Sequence, residues 1–360
     1  MFKRLLSHDP PRSRWLALVL ILIVLGLALT PFLFPGTKAL NVAAKILVFI
    51  VLVASFDLLL GYTGIVSFAH TMFFGIGAYG VAIASTRLGP TWGAIALGIT
   101  AALLCSLLLS LLIGAFSLRV KAIFFAMITL AVASAFLTLA SQLSDFTGGE
   151  DGLNFKVPPS LQPGTLYVDQ PFLGVSIDGR LLSYYLLFIV TLLLVLTLLR
   201  IVNSPFGRVL QAIRENDFRA EAIGYRTVVY RTLSNVLSAL FATLAGCLLA
   251  LWLRYNGPDT SLSFEIMLDI LLIVVIGGMG TIYGAVVGSV LFVIAQNYLQ
   301  DLLKLGAGAL EGVPVLSQLI SPDRWLLWLG ILFVLSVYHF PTGVVGRLRA
   351  GAHARKAGRP

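Results

Sequence analysis

The sequence predicts an all-α fold: a polytopic transmembrane helical bundle of about ten spans, some short or broken, with both termini cytoplasmic. Three observations carry that expectation. Hydrophobic residues make up 58% of the 360 and charged residues only 11%, and mean hydropathy is +0.96. Apolar runs of about 20 residues recur along the chain, the length needed to cross a bilayer's hydrocarbon core. Lys and Arg gather in alternate connections, as they do in loops on the cytoplasmic side. A water-soluble globule is excluded, because repeated runs of that length require a lipid solvent.

The first run, Trp15 to about Phe34, exceeds a signal-peptide core and lacks an Ala-x-Ala-like cleavage site, so it reads as a retained helix. Further spans follow at about 40–60, 67–86, 92–117, 122–141, 181–202, 230–252, 264–277, 281–299 and 324–340. With the amino terminus inside, the cytoplasmic side collects Lys3, Arg4, Arg12, Arg14, Arg119, Lys121, Arg208, Arg214, Arg219, Arg226 and Arg231. The carboxyl end adds Arg347, Arg349, Arg355, Lys356 and Arg359, whereas acids such as Asp145, Glu150, Asp151, Asp169, Asp178, Asp301 and Glu311 fall outside. The bias favours an even number of spans. A net charge of +9 then reflects loops facing anionic headgroups and calls for no nucleic acid. The expected organisation is a cytoplasmic tail over 1–14, one transmembrane domain over 15–340 and a basic tail over 341–360. Cys105 and Cys247 both lie in apolar runs with no ligand spacing.

Residues 203–231, "NSPFGRVLQAIRENDFRAEAIGYRTVVYR", form a charged island between two spans, in an expected cytoplasmic loop of about 203–229. Ser204 can cap a helix opened by Pro205, and Asn216 or Asp217 can start a second one. Gly224 can close that helix in the left-handed conformation. Glu215 and Arg219 stand four apart, and Phe218, Ala222 and Ile223 group into a small apolar face framed by charge.

Several stretches together resemble the LivM-type branched-chain amino acid permeases of bacterial ABC importers. The island's "QAIRENDFRAEAIGYR" resembles their cytoplasmic EAA-type loop. "LLLGYTGIVSFAHTMFFGIGAYG" (58–80), "FFAMITLAVA" (124–133) and "DFTGGEDGL" (145–153) resemble family motifs in the same order. "VVIGGMGTIYGAVVGSVLFV" (274–293) and "RWLLWLGILFVLSVYHFPTGVVG" (324–346) resemble its last two spans. Asp57 stands where the family more often has Asn, and residues 65–69 replace a run with Gln and Gly. The resemblance implies a multi-pass permease of the bacterial inner membrane that carries branched-chain or other hydrophobic amino acids, or alternatively urea or short amides. It further implies a second homologous permease subunit as heterodimer partner, two ATP-binding cassette subunits and a periplasmic solute-binding protein. This chain would bind no cofactor; ATP would be used by the partner subunits. Arg214, Glu215, Asn216, Phe218, Ala220, Glu221 and Gly224 would then form the ATPase-coupling segment.

The glycine clusters do not spell a nucleotide site. "GIGAYG" (75–80) satisfies G-x-G-x-x-G but sits inside a hydrophobic span rather than a βαβ unit. Gly61, Gly64, Gly75 and Gly77 are expected along the translocation path or at helix-packing seams, as is Gly280, which repeats with Gly284 and Gly288. Gly277 and Gly278 mark a break between apolar segments. Lys45, Asp57, His70 and Asp269 are costly at membrane depth. Lys45 is expected to snorkel outward, Asp57 to be solvated or partnered by a group such as His70, and His70 to be a hydrogen-bonding residue rather than a metal ligand. An outer loop of about 142–180 carries Thr147, Gly148, Gly149, Gly152 and Leu153, expected to build an ordered cap.

A stand-alone secondary transporter and a membrane-embedded enzyme compete with the permease reading. The first has no use for a motor socket. The second lacks reactive constellations: the sequence holds no phosphate-binding G-x-x-x-x-G-K-S/T, no H-E-x-x-H and no nucleophile elbow. The expectation is therefore a transporter subunit that is not itself an enzyme.

Overall fold

A computed structural model describes residues 13–34, 36–117, 122–167, 175–309 and 321–356. Lys3, Arg4, Arg12, Arg119, Lys121, Asp169, Glu311 and Arg359, with most of the expected amino-terminal tail and the last four residues of the carboxyl-terminal one, lie outside the described residues. The chain is a helical bundle. Its elements are α1 (Arg14–Leu33), α2 (Thr37–Thr63), α3 (His70–Leu88), α4 (Trp92–Ser117), α5 (Ala122–Gln142), α6 (Gly179–Asn203), α7 (Pro205–Glu215) and α8 (Asp217–Ala222). There follow α9 (Thr227–Leu253), α10 (Phe264–Gly277), α11 (Ile282–Ala309), α12 (Trp325–His339) and α13 (Gly343–Lys356).

Each of the ten expected spans is a helix, with ends within a few residues of the sequence reading except at α11, which runs on to Ala309. Among the described residues nine helical segments are long and apolar enough to cross a membrane, and α3 is not one of them. Composition sets it apart: α3 carries His70, Thr71, Gly75, Gly77, Gly80, Ser85 and Arg87 within 19 residues, and it packs closely between α4 and α9.

α2 is the axis of the molecule. Its 27 residues rise about 40 Å at 1.5 Å per residue, more than a hydrocarbon core. Within its most apolar window 94% is buried, against 17% in α1, α5 and the α12 segment, which lie at the rim of the bundle. α6, α9 and α11 pack directly on α2. It ends at Gly64, left-handed at φ 73°, whose N–H returns to Leu60 while that of Ile65 returns to Leu59, a Schellman-type stop. Where α3 crosses α9 the backbones nearly touch: a Cβ on Gly77 would lie 1.9 Å from Thr243 O, and one on Gly246 would lie 1.8 Å from Phe74 O. Only glycine permits that approach.

α10 itself has 14 residues, about 21 Å, and reaches spanning length only as part of the 20-residue segment from Pro258. It stops at Gly278 (φ 113°) and Gly280 (φ 79°), after which α11 packs back against it. Gly284 and Gly288 of α11 lie on the backbones of Gly277 and Ile273, as the small-residue stripe predicts. Gly280 does not share that seam, because it sits in the break itself. α13 begins in the segment expected to be a basic tail, yet its first turn is core: Val345 is fully buried, and Gly343 lies on Gly278.

Two short strands add to the all-helical expectation. β1 (Leu153–Asn154) pairs antiparallel with β2 (Tyr255–Asn256), just after α9. The ladder pins the motif Thr147–Leu153 to the end of the bundle remote from α7 and α8. Thr147 Oγ1 donates to Ala140 O at 2.5 Å, and Gly148, Gly149 and Gly152 all take positive φ in the turns between. These five loop residues thus form one ordered turn-and-strand.

Candidate functional site

The charged island folds as two helices projecting from α6 and α9. Pro205 opens α7, and the Ser204 hydroxyl accepts from Gly207 N. A Cβ at Gly207 would fall 2.1 Å from Val202 O, so the tight corner between α6 and α7 requires glycine. Asn216 separates the helices by one residue and caps α8, its Oδ1 accepting from Arg219 N at 2.9 Å. Gly224, at φ 97°, closes the second helix as its sequence position predicts.

α8 is only six residues long, too short to persist on its own. Its stability is tertiary. Ala220 is buried with Val209, Ile213 and Tyr230; Asp217 pairs with Arg231 at 3.0 Å; Glu221 Oε1 accepts from Thr227 Oγ1 at 2.6 Å. The ion pairs among the described residues are Asp217–Arg231 and Lys38–Asp301, so the spacing of Glu215 and Arg219 is not used as a pair. The cation that holds α8 comes instead from α9. Of the expected apolar face, Phe218 is 86% and Ile223 68% exposed, while Ala222 is also exposed. Two large apolar side chains thus stand open to solvent on and just after a braced helix.

Arg214 ties the island to the bundle. Its guanidinium donates to Gly61 O near the end of α2 and lies against Gly280 in the break before α11. Gly280 N donates to Asp57 Oδ1 at 2.8 Å, and the carboxyl of Asp57 also faces Thr281 N. Asp57 therefore caps the start of α11 from a neighbouring helix, occupying the site where unpaired N–H groups collect. An Asn side chain offers the same acceptor oxygen, which gives the Asp-for-Asn departure a simple geometric meaning. The junction has no spare volume: a Cβ at Gly61 would lie 2.4 Å from Gly280 N. Asp57, Gly61, Arg214 and Gly280 thus meet in one place, with Gly64 beside Arg214.

The other expected path residues are distributed differently. His70 does not partner Asp57. Its Nε2 lies 3.0 Å from Ser55 Oγ and 3.5 Å from Ser238 Oγ, with its ring edge-on to Phe56, because the α3–α9 packing brings hydroxyls rather than the carboxyl to that position. Gly75 accommodates Leu262 and Gly77 accommodates Thr243, while Gly277 and Gly278 are buried against α11 and α13. Lys45 does not snorkel to the end of α2. Its Nζ donates to Gln296 Oε1 at 2.9 Å, and Gln296 Nε2 donates to Asp269 Oδ2 at 3.2 Å. Gln296, Thr227 and Arg231 were not marked by any local motif; only their being polar in or beside apolar runs distinguishes them.

Comparison with known proteins places this architecture. The family described as "Branched-chain amino acid transport system / permease component" matches residues 38–337. The high-affinity branched-chain amino acid transport system permease protein LivM of Salmonella typhimurium is 26% identical over 321 residues, covering 86% of this chain and 74% of that protein. LivM of Escherichia coli is 26% identical over 319 residues, 85% and 73% of the two chains. A probable LivM of Methanocaldococcus jannaschii is 25% identical over 250 residues, 68% and 67%. No solved structure matches the chain. The match spans α2 to α12 and takes in the island, the junction and the glycine break, so this multi-pass membrane protein belongs to the branched-chain amino acid transport system permease family.

Proposed function

We propose that the chain is one transmembrane half of a bacterial inner-membrane ABC importer for branched-chain or other hydrophobic amino acids. A second, homologous permease completes the pathway, two ATPase subunits bind below it, and a periplasmic solute-binding protein delivers the cargo above. The supporting observation is α8: a short helix, braced through Ala220, Asp217 and Glu221, that presents Phe218 and the following Ile223 outward. Such a face fits a groove in a partner better than it fits water. The ATPases use ATP; this chain contributes the projecting helix that docks.

The bracing also supports a mechanism. Displacement of α8 bears on α9 through Asp217–Arg231 and on α7 through Asn216. Arg214 then loads the end of α2 and the turn before α11 together. Close-packed helices respond to such a load by switching arrangement rather than by bending gradually. Nucleotide-driven closure of the ATPases would thereby alternate access to a path along α2, α10 and α11.

The direct test is Phe218→Asp, a change at a side chain with almost no contact inside this chain. The variant is expected to insert and purify at the wild-type level while losing copurification with the ATPase subunits and losing leucine uptake. Retention of both activities would refute the docking role of α8.

A further inference from the structure

At the end of the bundle remote from α8, helices α2, α9, α10 and α11 line an open cavity of about 670 Å³. Much of its wall is apolar, through residues such as Val48, Phe49, Leu249 and Trp252. Onto it open Lys45 from α2, Asp269 from α10 and Gln296 from α11. The Gln296 amide stands between the other two, accepting from the ammonium and donating to the carboxylate. Cation and anion are therefore kept apart by the width of one amide and form no direct ion pair.

A purely structural charge pair at membrane depth recovers its desolvation cost by closing to contact. This one is propped open. An ammonium carries three donors and a carboxylate about four acceptor positions, so a single bond each to Gln296 leaves hydrogen-bonding capacity beside the cavity. The wider lining also carries both signs: Lys38, itself paired with Asp301, and the carboxylates Asp259 and Glu265.

We propose that this cavity is a subsite for the zwitterionic head of an α-amino acid. Lys45 receives the carboxylate, Asp269 receives the ammonium, and the wall around Phe49 and Trp252 takes an apolar side chain. The inference rests on the amino acid importer reading and narrows it. Urea and short neutral amides present no charges for Lys45 and Asp269 to match. A simple anion or cation would also meet a charge of its own sign, on Asp269 or Lys45, within the same site. The volume exceeds one amino acid and leaves space for water at the mouth.

The test uses the complete importer in proteoliposomes, with labelled leucine and labelled urea as probes. Lys45→Met and Asp269→Asn are each expected to lower leucine uptake about tenfold or more, the scale of one charge-assisted hydrogen bond. Lys45→Arg is expected to retain most of it, and ATPase copurification is expected to stay unchanged in all three. A second measurement leaves the charges intact. In a chain carrying Cys105→Ser and Cys247→Ala, Ser263→Cys at the cavity wall is labelled with a thiol reagent, and saturating leucine is expected to slow labelling several-fold. That protection is expected to vanish when Lys45→Met is added. Wild-type leucine uptake by both charge-removing variants, or labelling indifferent to leucine, would overturn the subsite alone. A wild-type complex that carries urea and no leucine would overturn the amino acid reading itself. Should a variant fail to insert, the labelling measurement still decides.

Discussion

α2 carries one ionisable side chain about two turns from each end, and the bundle treats the two in opposite ways. Asp57 is 1% exposed and is locked onto the backbone of Gly280, where even a methyl group would collide. Lys45 is half-buried, held from Asp269 by an amide, and open to a cavity. The contrast shows that a polar group at membrane depth is identified by what it meets. A carboxyl that meets backbone N–H groups caps a helix. A cation and an anion kept apart beside a void remain available to a third party.

The largest effect should come from filling the closed end. Gly61→Leu would drive a side chain into Asp57 and the Gly280 backbone, and nothing flexible borders it on the backbone side. The expected result is loss of monodisperse protein in detergent, measured by size-exclusion profile. A well-folded Gly61→Leu chain would show that the junction is looser than its geometry. Next in size, Asp57→Leu leaves buried N–H groups before α11 unmet, at about 1–3 kcal/mol for each unsatisfied group. Its melting temperature should fall clearly, whereas Asp57→Asn should stay close to wild type because the acceptor oxygen is kept. Equal melting of the two would remove the capping role. The open end should respond least in stability: Lys45→Met is expected to change the melting temperature little while transport falls. A large thermal penalty there would mean that Lys45 is structural and would erase the contrast.

The sequence disclosed these regions unevenly. Ser204, Asn216 and Gly224 were legible because caps are local: each acts on residues within one turn of itself. The spans are legible as apolar runs of sufficient length, whether the structure buries them, as with α2, or leaves them at the rim, as with α1. α3 satisfies only part of that pattern, since its glycines and hydroxyls, which serve helix contact, dilute its apolar residues. The partnerships were not legible. Arg214 reaches Gly61 across 153 positions, Gly280 reaches Asp57 across 223, and Lys45 reaches Gln296 across 251. No periodicity in one segment encodes such pairings; they follow from how α2, α10 and α11 pack. The same limit applies to His70: nearness in sequence suggests Asp57 as its partner, whereas packing surrounds it with hydroxyls of α2 and α9. The β1–β2 ladder escaped notice for a similar reason, as two-residue strands carry no alternation to detect.

In the proposed mechanism Arg214 is the link that carries motion from the island into α2 and α11. Arg214→Met removes that link without touching Phe218 or Ile223. Uptake of leucine per ATP hydrolysed, measured in proteoliposomes holding the whole importer, reads the link directly. The account predicts ATPases that still bind and hydrolyse ATP while uptake per ATP drops about tenfold or more, the equivalent of one charge-assisted hydrogen bond. Uptake per ATP equal to that of the unaltered importer would contradict it.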